Sequence, residues 1–230
     1  MPGSTTRKQK KRTKKDAKKN KLYRRPKFET PFPRRKYCQL KYSQTIDLDP
    51  GPAGIDADTF TANDICLPLA GGTRTQLRAM YSNQLFEVYE RFEVMSSKIK
   101  VTPMNQYNNF TVPGALFITQ DNNVVCDDET LEYVMQSGLK HSKPLLFAGI
   151  STNDELPSRS LTYSQKKYFG TDRDRDFSGS KTDPPNDVVY FHVIADSIAG
   201  NDPASIHCLV EITYNVMFYE KIETAESTGA

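Results

Sequence analysis

The alternation of apolar and polar residues from His207 to Ile222 is the feature that most restricts the fold of this 230-residue chain. Strict alternation over such a length is typical of a β-strand with one face against a core and the other against solvent. The apolar residues of this segment are Cys208, Val210, Ile212, Tyr214, Val216 and Phe218. The segment is the clearest strand in the chain, and it favours a β fold.

Further segments share the pattern of strands, which brings the predicted total to seven or eight. A change of phase between Val94 and Ile99 indicates a β-bulge near Ser96. The continuous apolar run from Val112 predicts a strand that is buried on both faces. These predicted strands are Tyr37–Leu48, Arg91–Val101, Val112–Thr119, Pro144–Ile150, Leu161–Phe169 and Val188–Ile194.

Helical patterns are short and lie between the strands. Ser82–Tyr89 predicts a helix with Ser82 as its cap, and Asp127–Gly138 predicts a second helix. The residues from Asp49 to Gly72, and those from Gly170 to Asp187, are predicted as loops. Helices do not alternate with strands, so the pattern favours an antiparallel sandwich or barrel over a parallel α/β sheet.

Residues 1–36 have a composition that cannot build a core. They hold 16 of the 31 Lys and Arg and only two acids, Asp16 and Glu29, which gives this segment a charge of +14. Because the whole chain is +3, residues 37–230 carry −11. A dense cationic run repels itself and buries little apolar surface. We therefore predict a disordered basic arm, residues 1–36, and a β domain, residues 37–230.

The partner that best fits the arm is nucleic acid, because each phosphate engaged by Lys or Arg releases condensed counterions. Aromatic residues between the cations would stack on unpaired bases, or Phe28 and Phe32 would pin the arm to the body. The same runs match a nuclear localisation signal. The predicted nucleic-acid-binding residues are Arg7, Lys8, Lys10, Lys11, Arg12, Lys14, Lys15, Lys18, Lys19, Lys21, Arg24, Arg25, Lys27, Arg34, Arg35 and Lys36.

Several classes of protein are disfavoured by the sequence. No apolar run reaches the 18 or so residues of a membrane helix, and the N-terminus has no apolar signal-peptide region. The widely spaced cysteines lack a CxxC pair, so we expect reduced core thiols. No nucleophile, P-loop or metalloprotease motif is present. We expect no enzymatic activity and no cofactor, and we interpret His192 and His207 as core or interface residues.

One metal site remains open. Asp172, Asp174, Asp176 and Asp183 reproduce part of the spacing of a calcium-binding loop, and carboxylates at alternate positions are ligands that calcium prefers. However, Phe177 occupies the position that requires glycine, and Arg173 and Arg175 offset the acids. The alternative is a solvated loop whose charges pair with one another.

The arm (TRKQKKRTKKDAKKNKLYRRPKF), the segment YERFEVMSSKIKVTPMN and the final pair VVYFHVIAD and CLVEITYNVMFYEKI resemble capsid proteins of small icosahedral viruses. More narrowly, the chain resembles the single jelly-roll capsid proteins of circular single-stranded DNA viruses that encode a replication initiator, the circoviruses and cycloviruses. Its arm is richer in Lys than is typical of circoviruses, which leaves open a satellite or RNA-virus capsid of the same fold.

This resemblance implies an eight-stranded jelly roll that assembles into a shell of 60 copies or a multiple. The arm would point inward onto the genome, circular single-stranded DNA, and the chain would reside in the virion, with a stage in the host nucleus that requires the import machinery. Lys98, Lys100, Lys166 and Lys167 would be either a second nucleic-acid contact or ordinary exposed lysines.

Two other functions are considered beside a capsid subunit. A cellular nucleic-acid-binding protein, of ribosomal or chromatin-associated type, would also carry a basic extension. A ribosomal β domain is usually basic where RNA surrounds it, whereas residues 37–230 carry −11. A secreted lectin-like sandwich is disfavoured by the basic, signal-free N-terminus.

Overall fold

The computed structural model describes residues 32–51, 54–74, 78–104, 112–120, 142–147, 158–170, 176–197 and 205–222. The described residues from Arg34 onward belong to one compact unit. Its strands, in chain order, are β1 (Lys36–Leu48), β2 (Ile55–Thr61), β3 (Tyr89–Pro103), β4 (Val112–Thr119), β5 (Lys143–Phe147), β6 (Arg159–Ser164), β7 (Ser178–Ser180), β8 (Tyr190–Asp196) and β9 (Ile206–Lys221). Two short helices are described, α1 (Ser82–Phe86) and α2 (Gln165–Phe169).

The strands form two antiparallel sheets that share one apolar core. Sheet A has the order β1-β9-β3-β6, with β7 also paired to β3, and sheet B has the order β2-β8-β4-β5. Residues of both sheets, among them Ile212 of β9 and Val193 of β8, belong to the same buried cluster. This alternation of the chain between two four-stranded sheets is the arrangement of a jelly roll. The predicted all-β, eight-stranded jelly-roll sandwich is confirmed, with β7 as an additional short strand.

The centre of sheet A is β9, which lies between β1 and β3 along most of its length. The even-numbered residues of β9 from Ile206 to Phe218 are buried, as the alternation predicted. The inward face of β1 is also confirmed, since Leu40, Tyr42, Ile46 and Leu48 are buried. Each of these two strands therefore has one face that packs on the core and one face that points outward.

A β-bulge in β3 is confirmed close to the predicted position. The register of β3 against β9 shifts between Val94 and Ser96, and Met95 is the extra residue. On the opposite edge of β3, Ser96–Val101 pair with β6, whereas Arg91–Glu93 pair with β7. The bulge therefore marks the place where β3 changes its edge partner.

This change of partner explains two wrong predictions. The segment Leu161–Phe169 was predicted as one strand, but β6 ends at Ser164 and α2 follows. Beyond the bulge the edge of β3 is paired with β7, so the chain after Ser164 cannot form further backbone hydrogen bonds with β3. The predicted loop from Gly170 to Asp187 contains β7, because the short segment Ser178–Ser180 completes the edge that β6 leaves.

Two predictions in the first half of the chain are also corrected. Residues Ile55–Thr61, predicted as part of a loop, form β2 and pair with β8; the acids of this segment hid its strand pattern. The helix predicted from Ser82 to Tyr89 ends at Phe86, and Tyr89 already belongs to β3. Its N-cap is Tyr81, in the left-handed region with φ 68°, and Ser82 is buried.

The strand β4 of sheet B is buried on both faces, as its apolar run predicted. On the inner face Leu116 and Ile118 join the main core, while on the outer face Ala115 and Phe117 pack with Ile194 in a second cluster. The predicted helix Asp127–Gly138 lies outside the described residues, as does the predicted extension of β5 beyond Phe147. Neither of the two described helices has the length and apolar character needed to cross a bilayer.

Two hydrogen bonds tie sheet A to the end of β2 and the residue that follows it. Ser97 and Tyr214 are register partners on β3 and β9, and both point into the core. The Tyr214 hydroxyl donates to the carbonyl oxygen of Thr61 at 2.9 Å, and the Ser97 hydroxyl donates to the carbonyl oxygen of Ala62. These bonds satisfy polar groups that would otherwise be costly to bury.

Gly179 of β7 should not tolerate a side chain. A Cβ at this position would lie 2.5 Å from Cζ of Phe92 and 3.1 Å from Cδ of Pro185. Because Phe92 is fully buried, its ring cannot move away freely. We expect Gly179→Ala to lower the free energy of unfolding by about 1–3 kcal/mol, measured by urea denaturation. Adding Phe92→Leu should recover part of this loss, and a double variant no better than Gly179→Ala alone would contradict the clash.

Candidate nucleic-acid interface

The last residues of the cationic segment lie at the start of sheet A. Of the sixteen predicted nucleic-acid-binding residues, the described part of the chain includes Arg34, Arg35 and Lys36, and all three are exposed. Lys36 is also the first residue of β1. The other thirteen lie outside the described residues, so the arm remains a sequence-based prediction.

Aromatic side chains near this junction are accessible. Tyr37, the second residue of β1, is 64% exposed, and Phe32 is 46% exposed. Because Cys38 and Leu40 point inward, the alternation of β1 places Tyr37 on the outer face of sheet A. An exposed ring beside Lys36 fits the predicted pairing of cations with stacking residues.

The outer face of sheet A is polar and hydrogen-bonded across strands. Nε2 of Gln39 donates to Oδ1 of Asn215 at 3.1 Å, and Nδ2 of Asn215 donates to the hydroxyl of Ser96 at 2.9 Å. Lys98 and Lys100 lie further along β3 on this same face, where both are exposed. The face is therefore a solvated surface that carries cations at defined positions.

The lysines that were grouped by sequence lie on different elements. Lys98 and Lys100 belong to β3, whereas Lys166 and Lys167 belong to the helix α2, where both are exposed. Lys41 of β1 was not singled out, although the register places it in line with Lys98 across β9. Lys41 is identified by the pairing of β1 and β3 with β9, which cannot be read from the sequence.

The two described histidines have different environments. His192 is fully buried in sheet B, where Nδ1 lies 2.9 Å from the Thr59 hydroxyl and Nε2 lies 2.7 Å from the Thr119 hydroxyl. Its ring stacks on Phe117 at 4.9 Å between centroids. The predicted hydrogen-bonded core histidine is thus confirmed for His192.

His207 is not a core residue. It lies on the outer face of β9, its side chain is 54% exposed, and Nδ1 pairs with Oδ1 of Asp47. The inward residues of β9 are even-numbered, so an odd-numbered residue points outward. The third histidine, His141, lies outside the described residues.

The described cysteines are free thiols, as predicted. Burial raises the pKa of Cys66 and of Cys208 to about 12, and burial also raises the pKa of the half-buried Cys38. A thiol reacts through its thiolate, so Cys66 and Cys208 are protonated and unreactive at neutral pH. Cys126 lies outside the described residues.

Two of the four calcium candidates are described, and each carboxylate stabilises its own turn. Oδ1 of Asp176 accepts the backbone N–H of Ser178 at 2.9 Å, and Oδ2 of Asp183 accepts the hydroxyl of Ser180 at 2.9 Å. Hydrogen bonds from Thr182 and Ser180 lower the pKa of Asp183. Asp172 and Asp174 lie outside the described residues. Within the described ranges no three His, Cys, Asp or Glu side chains cluster as metal ligands would.

A buried ion pair that the sequence did not reveal joins two connecting segments. The Asp64 side chain is 1% exposed and pairs with Nη1 of Arg74, and it also accepts the backbone N–H of Cys66 at 2.9 Å. Nη2 of Arg74 donates to the carbonyl oxygens of Ser180 at 3.1 Å and Asp183 at 3.0 Å. Arg74 therefore ties the chain after β2 to the chain after β7.

No protein-family model matches the chain, and no curated protein matches it in sequence. Similar solved structures include the empty head of Turnip Yellow Mosaic Virus, at 10% identity over 86% of this chain and 88% of that chain, with a TM-score of 0.48. They also include Mud crab tombus-like virus, at 10% identity over 89% and 97%, with a TM-score of 0.48. The decameric BFDV capsid protein has 12% identity over 81% and 100%, with a TM-score of 0.47.

Proposed function

We propose that this chain is the subunit of a small icosahedral viral capsid. We propose that it packages a genome of circular single-stranded DNA through the basic arm of residues 1–36. The observation that carries the proposal is the junction between arm and fold. A segment of charge +14 ends at Lys36, and this residue begins β1 of a jelly roll whose own sequence, residues 37–230, carries −11.

The two charges have complementary consequences for a packaging protein. The arm attracts a polyanion without requiring a base sequence, because counterion release depends only on the number of phosphates engaged. The acidic body repels nucleic acid in general and keeps a large assembly soluble. Nucleic acid is therefore confined to the side of the subunit from which the arm emerges.

A closed shell accounts for the separation of these charges. If copies of the chain assemble through the jelly roll with the arms on one side, every arm contributes its charge to one interior volume. The proposed partners are other copies of the same chain, in 60 copies or a multiple, a single-stranded genome, and the nuclear import machinery that would recognise the basic runs. The proposed location is the virion, with assembly in the host nucleus.

Electron microscopy of the purified full-length chain, with absorbance at 260 and 280 nm on the same fraction, tests this proposal. We expect uniform closed shells with a nucleic-acid spectrum. The chain has 12 Tyr and no Trp, so its own absorbance at 280 nm is weak and bound nucleic acid is easily detected. Monomers or dimers that bind nucleic acid without forming shells would contradict the capsid role and favour a cellular nucleic-acid-binding protein.

A further inference from the structure

A groove on the outer face of sheet A gathers three lysines from two strands. Its volume is about 380 Å³. We call it the lysine groove, and its lining residues are Lys41, Tyr42, Ser43, Met80, Lys98, Lys100, Glu211, Ile212 and Thr213. Lys166 and Lys167 do not line it, so the groove is distinct from the lysines of α2.

Strand register brings the lysines together. Lys41 of β1 and Lys98 of β3 are both partners of Thr213 on β9, which lies between them. Adjacent strands are about 4.8 Å apart, so the backbones of the two lysines lie about 10 Å from each other. In the neighbouring row Glu211 lies between Ser43 and Lys100. The groove thus places Lys41 on one side of Thr213 and Lys98 on the other.

The groove is positive on a body that is negative. It contains three lysines and one acid, Glu211, while residues 37–230 as a whole carry −11. Nζ of Lys100 lies 3.8 Å from Oε2 of Glu211, and both side chains are 48% exposed. An ion pair at this distance, with both side chains this exposed, binds the Lys100 ammonium group only weakly. Lys100 can therefore exchange its carboxylate for a phosphate, and Lys41 and Lys98 remain to bind others.

The exposed apolar side chain of Met80 lines the groove, and exposed aromatic residues lie next to it in the chain or on the same face of sheet A. Met80, which lines the groove, is 60% exposed, and its backbone N–H donates to the carbonyl oxygen of Lys41 at 2.8 Å. The next residue, Tyr81, is 66% exposed and has φ 68°, a conformation that is strained for a bulky residue. Tyr37 is exposed on the same outer face as Lys41. Cations beside exposed rings are the combination that binds single strands.

We infer that the lysine groove is a second nucleic-acid site, where Lys41, Lys98 and Lys100 bind phosphates of the strand that the arm neutralises. This inference rests on the proposed function. Single-stranded nucleic acid is the favoured occupant because the arm enters the fold at Lys36, five residues before Lys41 on β1. That interval spans about 17 Å of strand, so a polyanion held by the end of the arm lies within reach of the groove.

Residue-resolved lysine acetylation of the full-length chain, with and without an oligothymidine, tests the inference. Peptide mass spectrometry should show slower acetylation of Lys41, Lys98 and Lys100 in the presence of the oligonucleotide. Lys166, Lys167 and Lys181, exposed lysines outside the groove, should react at an unchanged rate. These lysines are an internal control for non-specific attraction.

Variants of matched charge give a second measurement. The full-length triple variant with Lys41, Lys98 and Lys100 replaced by Gln should reduce the log–log salt slope for oligothymidine binding by about 2, because each single-strand phosphate contact contributes about 0.7. The same replacement of Lys166, Lys167 and Lys181 should leave the slope unchanged. Glu211→Gln removes the acid from the groove and should tighten binding by about two- to fivefold.

The outcomes separate this inference from the proposed function. Protection of arm lysines without protection of the groove lysines would overturn the inference and leave the packaging role intact. Loss of protection at both places would overturn both. Groove lysines that are protected by a sulfated polysaccharide and not by oligothymidine would overturn the inference in favour of another polyanion. Groove lysines that do not react even without nucleic acid would show that another copy covers this face, which also overturns it.

Discussion

Replacing the thirteen Lys and Arg between Arg7 and Lys27 by Gln in the full-length chain should lower its affinity for a single-stranded oligonucleotide by about 10³-fold or more at low salt. If about ten arm cations engage phosphates, the arm alone should contribute about −7 to the log–log salt slope of the wild-type chain. The variant should retain a slope between about −2 and −4, from Arg34 to Lys36 and the lysine groove. Fluorescence anisotropy across a salt series measures both quantities.

The matched control replaces the Lys residues of the same segment by Arg, which keeps every charge. This variant should bind as the wild-type chain does, because counterion release depends on charge and not on residue type. Both variants should unfold at the wild-type temperature, since β1 begins only at Lys36. An unchanged salt slope in the Gln variant would contradict the electrostatic role of the arm.

Removing Arg74 should have the largest effect on the stability of the fold. The Asp64 carboxylate is almost fully buried, and Arg74 is its ion-pair partner. Arg74→Met keeps much of the side-chain volume but leaves a buried charge without a counterion. We expect the free energy of unfolding at pH 7 to fall by about 3–5 kcal/mol, measured by urea denaturation.

The pH dependence of this loss follows from the pKa of Asp64. Burial raises this pKa above its usual value, and Arg74 opposes the shift. Without Arg74 the folded-state pKa rises further, so the folded variant holds its proton to higher pH than the unfolded chain does. Stability is then retained below the unfolded pKa and lost as the pH rises through the folded one. The deficit of Arg74→Met should therefore be smaller at pH 4 than at pH 7.

Two further variants serve as controls for the ion pair. Arg91 pairs with Glu220 at 3.1 Å, but the two side chains are 48% and 53% exposed, so Arg91→Met should cost less than about 1 kcal/mol. The double variant Asp64→Asn and Arg74→Met removes the unpaired charge and should be more stable at pH 7 than Arg74→Met alone. A deficit of Arg74→Met that is equal at both pH values would exclude the buried carboxylate as its cause.

The long strands were predictable because their signal is local. In β1, β9 and the two halves of β3, side chains two residues apart share one environment, and the alternation records it directly. The bulge near Ser96 was predictable for the same reason, since an extra residue shifts the phase of the pattern. For His207 the alternation of β9 already places odd-numbered residues on the outer face, which excludes the core alternative and leaves the interface one as a prediction.

Three elements depend on their neighbours instead. The acids of β2 hid a strand that is defined by its pairing with β8. The end of β6 at Ser164 and the presence of β7 both follow from the bulge, which divides the edge of β3 between two partners. The intrinsic strand propensity of the residues did not indicate where β6 and β7 begin and end. These boundaries are decided by which segment pairs with each part of the β3 edge.

The sequence by itself determined the charge separation, the all-β class and the central strands, because composition and period-two alternation are properties of contiguous residues. Tertiary structure decided which distant side chains meet. Asp64 and Arg74 are ten residues apart in the chain, and Arg74 also reaches the carbonyl oxygens of Ser180 and Asp183. Lys41 and Lys98 lie in one row across sheet A only because β9, which is the last described strand in the chain, lies between β1 and β3. Register between strands far apart in sequence is set by the packing of the whole sandwich, and no local pattern encodes it.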